Sequence, residues 1–471
     1  MHHSVDMPHQ IYPHCATKGV VRCDLASISL ESMLGSLRLG GHRLGSPRQP
    51  RVSRLCTSAG AHKSKITEQL WKYRAELAKT FGHGVKPQST MIPKTPSESA
   101  VSVRYDFRSD SELKDAYINP FGGPQFGILM EDMDAIAGNV AFLHVDDTNP
   151  ETCPPILVTA SVDRMSLLRR VSLDDDLLLS GHVVWTGRSS MQIRVILHPE
   201  GTPIDADDDC GSLTSPMLSA IFTYVARDRA TGKSTTLNPL VPETESEQRR
   251  YDAADAEAKA QKRARQPQSA EAAMAAAATQ HDHAAERVQM AQAHLRMPSL
   301  APGDSMLIRD TSVHNALLCQ PQQRNTAGRI FGGFLMRRAF ELAFASAYLH
   351  AGVQPRFRQV EHVAFRAPVA IGALLRLEAT VVLVQPDEPH PLVTVDVEAV
   401  VAKPEECTSA VSNTFTFTFA LDARELTQCV SSCLRTTLPA SMEEAARQLE
   451  VMELVHEHPL EPLDLTRDTN K

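Results

Sequence analysis

A paired glycine at the start of a long apolar-faced helix is the feature of this sequence best suited to chemistry. Gly332 and Gly333 follow a polar loop that begins at Arg324. Apolar residues then recur at the three- and four-residue spacing of a buried helix, namely Leu335, Ala339, Leu342 and Ala343. Glycines at a helix start let another group approach backbone N–H groups that carry the positive end of the helix dipole. This arrangement could polarise a carbonyl group without using a side chain.

A second candidate is a carboxylate on another predicted helix, at residues 128–141. The side chain of Asp134 would emerge from a largely apolar face of that helix. Its helical row contains Met130, Ala137 and Ala141. Partial burial raises the pKa of a carboxyl group and makes it a better general base towards water. The alternative is an ordinary solvated helix acid, like its neighbours Glu131 and Asp132.

The helices are followed by segments with the period-two alternation of β-strands. Four such segments follow the first helix: ILVTASV, DLLLSGHVVW, SMQIRVIL and MLSAIFTYVA. Four more follow the second: VEHVAFRAPV, LLRLEATVVLV, LVTVDVEAVVA and NTFTFTFAL. The last alternates Thr with Phe so strictly that one face must be packed and the other polar.

The two halves of the chain are copies of one unit. Residues 162–179 align without a gap onto residues 360–377, and residues 126–130 align onto 332–336 with a small gap. Each half reads as one long helix followed by about four antiparallel strands. An internal duplication of an α+β unit predicts a pseudo-dimer whose important cleft lies at the shared interface.

Composition limits the functions that are possible. The chain has 471 residues with a formal net charge of −8, which gives no electrostatic case for nucleic acid as a partner. No apolar run reaches membrane-spanning length, so stable membrane insertion is not expected. The nine cysteines are odd in number and lack the spacing of a zinc site, which indicates reduced thiols in an intracellular compartment and no metal.

The domain organisation follows from these patterns. We predict a targeting or disordered segment at 1–65, a first α+β unit with a helical lead-in at 66–240, and a helical linker rich in Ala, Glu and Gln at 241–298. The second unit covers 299–425, and a helical tail covers 426–471. From Met33 the first segment is rich in Arg and Ser and poor in acids, as organellar presequences are. A basic disordered tail is the alternative.

Several motifs resemble the acyl-CoA thioesterases with tandem hot-dog domains, most closely the mitochondrial type. These motifs are FGILMEDMD, VDRMSLLRRV, TGRSSMQI, RNTAGRIFGGFLMRRAFELAFA and FRAPVAIG. The similarity covers about residues 100–235 and 300–425. It implies two tandem hot-dog domains, each a long helix wrapped by an antiparallel sheet, paired through a continuous sheet. It also implies hydrolysis of acyl-CoA to fatty acid and CoA, with no cofactor, in mitochondria or, alternatively, the cytoplasm.

The resemblance assigns roles to particular residues. The family uses an Asp on the helix of one hot dog and an Asn in the loop before the helix of the other. Asp134 matches the first and Asn325 the second, whereas Phe340 stands where the second helix would carry its acid. Only the cleft that joins Asp134 to Asn325 is therefore expected to be catalytic. Backbone N–H groups near Gly127, Gly332 or Gly333 could receive the oxyanion.

The remaining expectations concern substrate and assembly. Arg188, Ser189 and Ser190 resemble the family segment near the CoA arm, although a polar strand start would read the same. A homo-oligomer, as in a trimer of double hot dogs, would be family-like. The competing functions are a non-catalytic acyl-CoA-binding protein and a hydratase. A hydratase would need a His–Asp pair, and His350 and His362 are isolated.

Overall fold

The structure is a computed structural model, and it describes most of the chain. The described residues are 11–13, 20–23, 63–80, 86–88, 90–147, 149, 151–202, 215–264, 270–325, 328–386, 390–428, 434–457 and 460. Most of the predicted targeting segment 1–65, with Met33 and the arginines after it, lies outside them. Two short strands of that segment are described, β1 (Ile11–Pro13) and β2 (Val20–Cys23).

The first half of the chain is built around one long helix. Its elements are α1 (Lys65–Thr80), β3 (Lys86–Pro87), β4 (Ala100–Tyr105), α2 (Ser111–Tyr117), α3 (Phe126–Val145), β5 (Thr152–Cys153), β6 (Ile156–Leu167), β7 (Leu177–Thr186), β8 (Ser190–Pro199) and β9 (Leu218–Arg227). The helix α3 is apolar on nearly every side and is buried along almost its whole length, as such a helix must be.

The second half repeats this order after a helical connection. The connection holds α4 (Glu245–Ala264), α5 (Ala270–Met290) and α6 (Gln292–Arg296). The second unit then has β10 (Ser305–Leu307), β11 (Val313–Leu318), α7 (Gly332–Ala351), β12 (Arg356–Phe365), β13 (Leu374–Gln385), β14 (Leu392–Lys403) and β15 (Thr408–Ala420). The chain continues through α8 (Ala423–Gln428), β16 (Thr436–Leu438) and α9 (Met442–Glu457). The long helices α3 and α7 both contain 20 residues and begin at the positions that the sequence alignment matched.

One sheet joins the two units, with α3 and α7 packed against each other. Within it the order is β4-β7-β8-β9-β6 for the first unit and β12-β15-β14-β13-β11 for the second. The predicted fold of two tandem hot-dog domains is therefore confirmed. The structure adds a fifth strand to each unit, β4 and β11, which the sequence had not suggested. Both are six-residue strands that precede the long helix, apart from the four strands that follow it.

The seam between the units is symmetric in its register. In the antiparallel pair β6–β12, Val162 lies opposite Val363 and Met165 lies opposite Val360. Exchanging the two halves converts one pair into the other. The acids beside this seam are also matched: the Thr223 hydroxyl donates to Asp163 at 2.8 Å and the Thr418 hydroxyl donates to Glu361 at 2.7 Å.

Two acids that the sequence placed in solvent are buried, so that expectation was wrong. Glu131 and Asp132 are both fully covered on α3. Asp132 accepts hydrogen bonds from four hydroxyl groups, those of Ser64, Thr67, Tyr105 and Tyr117. Burial raises the pKa of Asp132 to about 6, although these hydroxyls oppose the shift. Asp132 thus ties the first turn of α1, the strand β4 and the helix α2 to α3.

Glu131 joins the two units instead. Arg337 stands at the position on α7 that corresponds to Glu131 on α3, and its guanidinium donates to the Glu131 carboxylate at 3.0 Å. Identical residues at these positions would place like charges in contact. Burial raises the pKa of Glu131 to about 7 against the lowering effect of Arg337. The ion pair therefore fixes α3 against α7 only because the two copies have diverged.

Replacing Arg337 with methionine is expected to destabilise the fold in a pH-dependent way. The change leaves a buried carboxylate without its cation and costs about 3 kcal/mol of unfolding free energy at pH 8. The pKa of Glu131 rises further, so the folded state favours the protonated acid and the loss shrinks towards pH 6. Urea unfolding at the two pH values measures this. Arg338→Met, which removes a more exposed pair with Glu341, is the control and should cost less than about 1 kcal/mol. Equal losses for both variants would contradict the assignment.

Candidate active site

The Asp134 carboxylate of the first unit lies on the N-terminus of the long helix of the second. The Gly333 N–H donates to Asp134 Oδ2 at 2.6 Å. A Cβ atom added at Gly332 would lie 3.1 Å from the same oxygen and 3.3 Å from the Phe365 ring. The paired glycine therefore serves close approach, as the sequence suggested. The group that approaches in this structure is the acid from the other unit.

Two side chains on neighbouring strands hold the other carboxylate oxygen. The Tyr224 hydroxyl lies 3.1 Å from Asp134 Oδ1 and 3.2 Å from its backbone carbonyl, and the Thr159 hydroxyl lies 3.4 Å from Oδ1. Thr159 on β6 and Tyr224 on β9 are direct cross-strand partners. The sheet thus presents both hydroxyls at one level beneath α3.

The setting of Asp134 makes it an acid that titrates near neutrality. Its side chain is only 2% exposed, and burial raises its pKa to about 6. The Gly333 N–H, the Tyr224 hydroxyl, the charge of Arg74 and the Thr159 hydroxyl each favour the ionised form and limit the rise. A carboxylate with a pKa near the working pH is matched to general-base chemistry.

Asn325 lies in the loop that leads into α7, as predicted. Its side-chain oxygen accepts the Arg329 N–H at 3.0 Å, and its backbone N–H donates to the Arg329 carbonyl at 2.6 Å. Gly328 takes a positive φ of 74° inside this loop, which is a conformation that glycine adopts readily. The Asn325 side chain thus shapes the segment that precedes the helix N-terminus at the cleft.

The predicted oxyanion donors fall in different clefts. Gly332 and Gly333 border Asp134, and the Gly333 N–H is engaged with that carboxylate. Gly127 starts α3 in the other cleft, where a Cβ atom would lie 3.2 Å from the Arg337 side chain and 3.3 Å from the Phe340 ring. The two clefts therefore have the same construction, with an acid at one helix start and a phenyl ring at the other.

The second cleft has aromatic rings in place of Asp134 and its two hydroxyl partners. Positions in the helices and the strand registers pair Asp134, Thr159 and Tyr224 with Phe340, Phe357 and Phe419, respectively. The ring centroids of these three phenylalanines are 5.6, 5.8 and 6.5 Å apart. The second cleft therefore has apolar rings at the place where the first has a carboxylate.

The residues predicted to contact CoA lie in the hairpin between β7 and β8. Arg188 is exposed, and its carbonyl accepts the Leu237 N–H at 3.0 Å. Ser190 begins β8 and lies opposite Val225, the residue after Tyr224. The hairpin is therefore adjacent in the sheet to the strand that carries Tyr224.

Sequence reasoning missed Thr159, Tyr224 and Arg74. A sequence signal was present for Thr159, because extending the ungapped alignment of the halves by three residues places Phe357 at its position. Tyr224 and Phe419 match only once the strand registers are known. Arg74 gave none, since it belongs to a helix outside the repeat. No group of three or more residues with metal-binding side chains occurs in the part of the chain that the structure describes. Within that part, no helix is both long and apolar enough to cross a bilayer.

Comparison with known proteins agrees with this architecture. The family model described as the thioesterase superfamily matches residues 126–204, which include α3 and strands β6 to β8. The chain is 40% identical to the chloroplastic acyl-coenzyme A thioesterase 2 of Humulus lupulus over 84% of its length and 89% of that protein. It is also 40% identical to the mitochondrial acyl-coenzyme A thioesterase 4 of Humulus lupulus over 85% of its length and 75% of that protein. The mitochondrial acyl-coenzyme A thioesterase 9 of Homo sapiens is 29% identical over 71% of the chain and 74% of that protein.

The protein is thus a thioester hydrolase of the hot-dog class, in which two units within one chain form the pseudo-dimer. Within that class it belongs to the acyl-CoA thioesterase family, as its identity to the relatives over most of both lengths shows.

Removing the Tyr224 hydroxyl is expected to shift the titration of Asp134. In Tyr224→Phe the carboxylate loses a hydrogen bond that favours its ionised form, so its pKa rises above about 6. Hydrogen bonds to charged groups are worth about 1.5–3 kcal/mol, so kcat/KM at pH 6 should fall about tenfold, with a much smaller change at pH 8.5. The pH profile of acyl-CoA hydrolysis measures this. The acids Glu131 and Asp132 titrate in the same range but do not contact Tyr224. An unshifted acidic limb would show that a group other than Asp134 sets it.

Proposed function

We propose that this chain hydrolyses acyl-CoA thioesters to a free fatty acid and CoA, with Asp134 activating water and Asn325 helping to hold the water or the thioester oxygen. The observation that carries the proposal is the hydrogen bond between the Gly333 N–H and the Asp134 carboxylate. It brings a buried acid with a raised pKa to the positive end of a helix dipole, where a carbonyl can also be polarised.

In the proposed step, Asp134 takes a proton from water while the oxygen attacks the thioester carbonyl. Negative charge then collects on the carbonyl oxygen, and backbone N–H groups at the start of α7 stabilise it. Collapse of this intermediate breaks the C–S bond, and protonated Asp134 returns its proton to the departing CoA sulfur. Atoms and charges balance without any cofactor.

Direct attack by Asp134 through an anhydride is the other route to the same products. Both carboxylate oxygens accept hydrogen bonds in the structure, Oδ2 from Gly333 and Oδ1 from Tyr224. These hydrogen bonds lower the basicity and the nucleophilicity of the carboxylate alike, so an isotope experiment is what separates the two routes. Hydrolysis of a single turnover in H₂¹⁸O distinguishes the routes, because only the anhydride route leaves the label in the protein.

The second cleft is proposed to be catalytically silent. It has Phe340 where the first has Asp134, and phenylalanines where the first has Thr159 and Tyr224. One chain would then hold one active site, although its fold contains two clefts. The alternative is a protein that binds acyl-CoA without hydrolysing it. The contacts around Asp134 support a catalytic base instead.

The names of the relatives support a proposal for where in the cell the protein acts. The relatives from Humulus lupulus are named as chloroplastic and mitochondrial enzymes, and the human relative as mitochondrial. We propose that this chain is also organellar, most plainly mitochondrial. We also propose that the chain forms a homo-oligomer, such as a trimer of double hot dogs, and sedimentation of the purified protein measures the size of that assembly.

Asp134→Asn is the central test of the proposed chemistry. The amide keeps the size of the side chain but cannot take a proton from water, and general-base catalysis contributes about 10²–10⁴ in rate. Thiol release from acyl-CoA should therefore fall by about 10³-fold. Asn325→Ala should lower kcat, with KM less affected. Phe340→Leu in the other cleft keeps most of the buried hydrocarbon, so it is the control and should retain turnover at neutral pH. Loss of only half of the activity in Asp134→Asn would show that the second cleft works.

Arg188→Met tests the proposed CoA contact separately. If Arg188 pairs with a CoA phosphate, the variant should raise KM for acyl-CoA by about tenfold with kcat nearly unchanged, and the difference should shrink at high salt. Arg309→Met removes an exposed arginine from the second unit and serves as the matched control. Equal KM values for Arg188→Met and the parent enzyme would remove Arg188 from the site.

A further inference from the structure

The helix α1 leads into the first unit and lies outside the repeated part of the fold, and it places a cation near Asp134. The Arg74 Nε donates to the Asn139 side-chain oxygen at 2.6 Å, and its Nη2 donates to the Ala135 carbonyl at 3.1 Å. The Asn139 amide in turn donates to the Leu70 carbonyl at 2.9 Å. The guanidinium is therefore held at two points on α3, one of them the carbonyl of the residue directly after Asp134.

Glycine at position 138 is what makes room for this guanidinium. A Cβ atom added there would overlap Arg74 Nη2 and lie 3.2 Å from Arg74 Cζ. The corresponding position on α7 is Phe344, whose ring packs 6.1 Å from that of Phe419. The first unit thus has a glycine and an arginine from outside where the second has its own phenyl ring.

Arg74 donates these hydrogen bonds to neutral acceptors, so its charge remains to act on the ionisable groups around it. Burial lowers the pKa of Arg74, and the nearby Tyr224 and Asp134 oppose that shift by favouring its charged form. The elements packed on α3 carry further charged or titratable groups. Tyr224 comes from β9, Arg337 of α7 is paired with Glu131, and Glu131 and Asp132 lie on the same helix as Asp134. Arg74 differs from Arg337 in that it donates to an amide oxygen and a backbone carbonyl, whereas Arg337 donates to a carboxylate.

We propose that α1 supplies a positioning residue to the active site. The Arg74 guanidinium, seated over Gly138 and fixed by Asn139 and the Ala135 carbonyl, stabilises the Asp134 carboxylate from behind the helix. It leaves the front of that carboxylate to Gly333, Thr159 and Tyr224. This inference rests on the proposed role of Asp134 as the base.

Arg74→Met and Arg74→Lys test the charge. Without the cation, Asp134 holds its proton to higher pH, so the acidic limb of kcat/KM should move to higher pH in Arg74→Met. Activity should fall about tenfold at pH 6 and by less than about threefold at pH 9. Arg74→Lys keeps a charge and should return the limb towards the parent position. Lys72→Met, on an exposed face of α1, is the matched control and should leave the profile unchanged.

Gly138→Ala tests the geometry without changing any charge. Alanine favours a helix more than glycine does, so a loss cannot come from helix propensity. The new Cβ should push the guanidinium away and reproduce the upward shift of the acidic limb. If the effect passes through Arg74, Gly138→Ala should add little in the Arg74→Met background, and a double-mutant cycle measures this coupling.

The possible outcomes separate this proposal from the proposed function. A uniform loss at every pH, with the acidic limb unmoved in Arg74→Met, overturns the positioning role and makes Arg74 a structural residue. Unchanged activity in Arg74→Met overturns it as well. Full activity in Asp134→Asn would instead defeat the proposed base itself, whatever the Arg74 variants show.

Discussion

The hydrogen bond from the Gly333 N–H to the Asp134 carboxylate is the contact on which the rest of the structure depends. Its donor and its acceptor belong to different units, so it forms only when α3 and α7 are correctly aligned. The continuous sheet sets that alignment through the symmetric register of β6 against β12. The ion pair of Glu131 with Arg337 fixes the same two helices about one turn away. Together these contacts bring a buried acid to a helix dipole that stabilises its charge.

The two units therefore share nearly the same backbone arrangement but line their clefts with different side chains. At each position that touches Asp134 from the sheet, the other cleft carries a phenyl ring at the equivalent place. The backbone geometry is shared, because both clefts have a glycine at a helix start and the same cross-strand pairs beneath it. Side chains alone distinguish a polar cleft from an aromatic one. The function belongs to the pair of units, since one contributes the acid and the other contributes the helix start.

The sequence predicted the parts of this arrangement that depend on local pattern. Helix and strand periodicity gave the order of the long helices and their following strands, and the duplication gave the pseudo-dimer. Asp134 and the glycines emerged because a carboxylate in an apolar row and a paired glycine are unusual locally. Glu131 and Asp132 look the same in sequence as solvated acids. Their burial follows from α1 and α7, which pack on the remaining sides of α3.

The residues that support Asp134 could not be read in the same way. Thr159 and Tyr224 become neighbours only through the register of β6 against β9, which includes an irregularity after Thr159. Arg74 reaches the site because the residue 64 positions later in the chain is Gly138, which has no side chain to block the guanidinium. The polar face of β15 is a milder case. Thr416 and Thr418 were expected on a polar face, and that face is polar but also buried, with Arg447 of α9 donating to Thr416 at 2.8 Å.

The aromatic cluster around Phe340 has a consequence for how the fold tolerates its active site. A strictly symmetric pair of units would bury two carboxylates at the helix contact, and each buried charge opposes folding at neutral pH. In this chain the second location holds phenylalanine rings, whose burial favours folding at every pH. Duplication within one polypeptide allows this division of labour, which identical subunits of a homodimer cannot achieve. One half of the interface can then be optimised for cohesion while the other half retains the charge that reactivity requires.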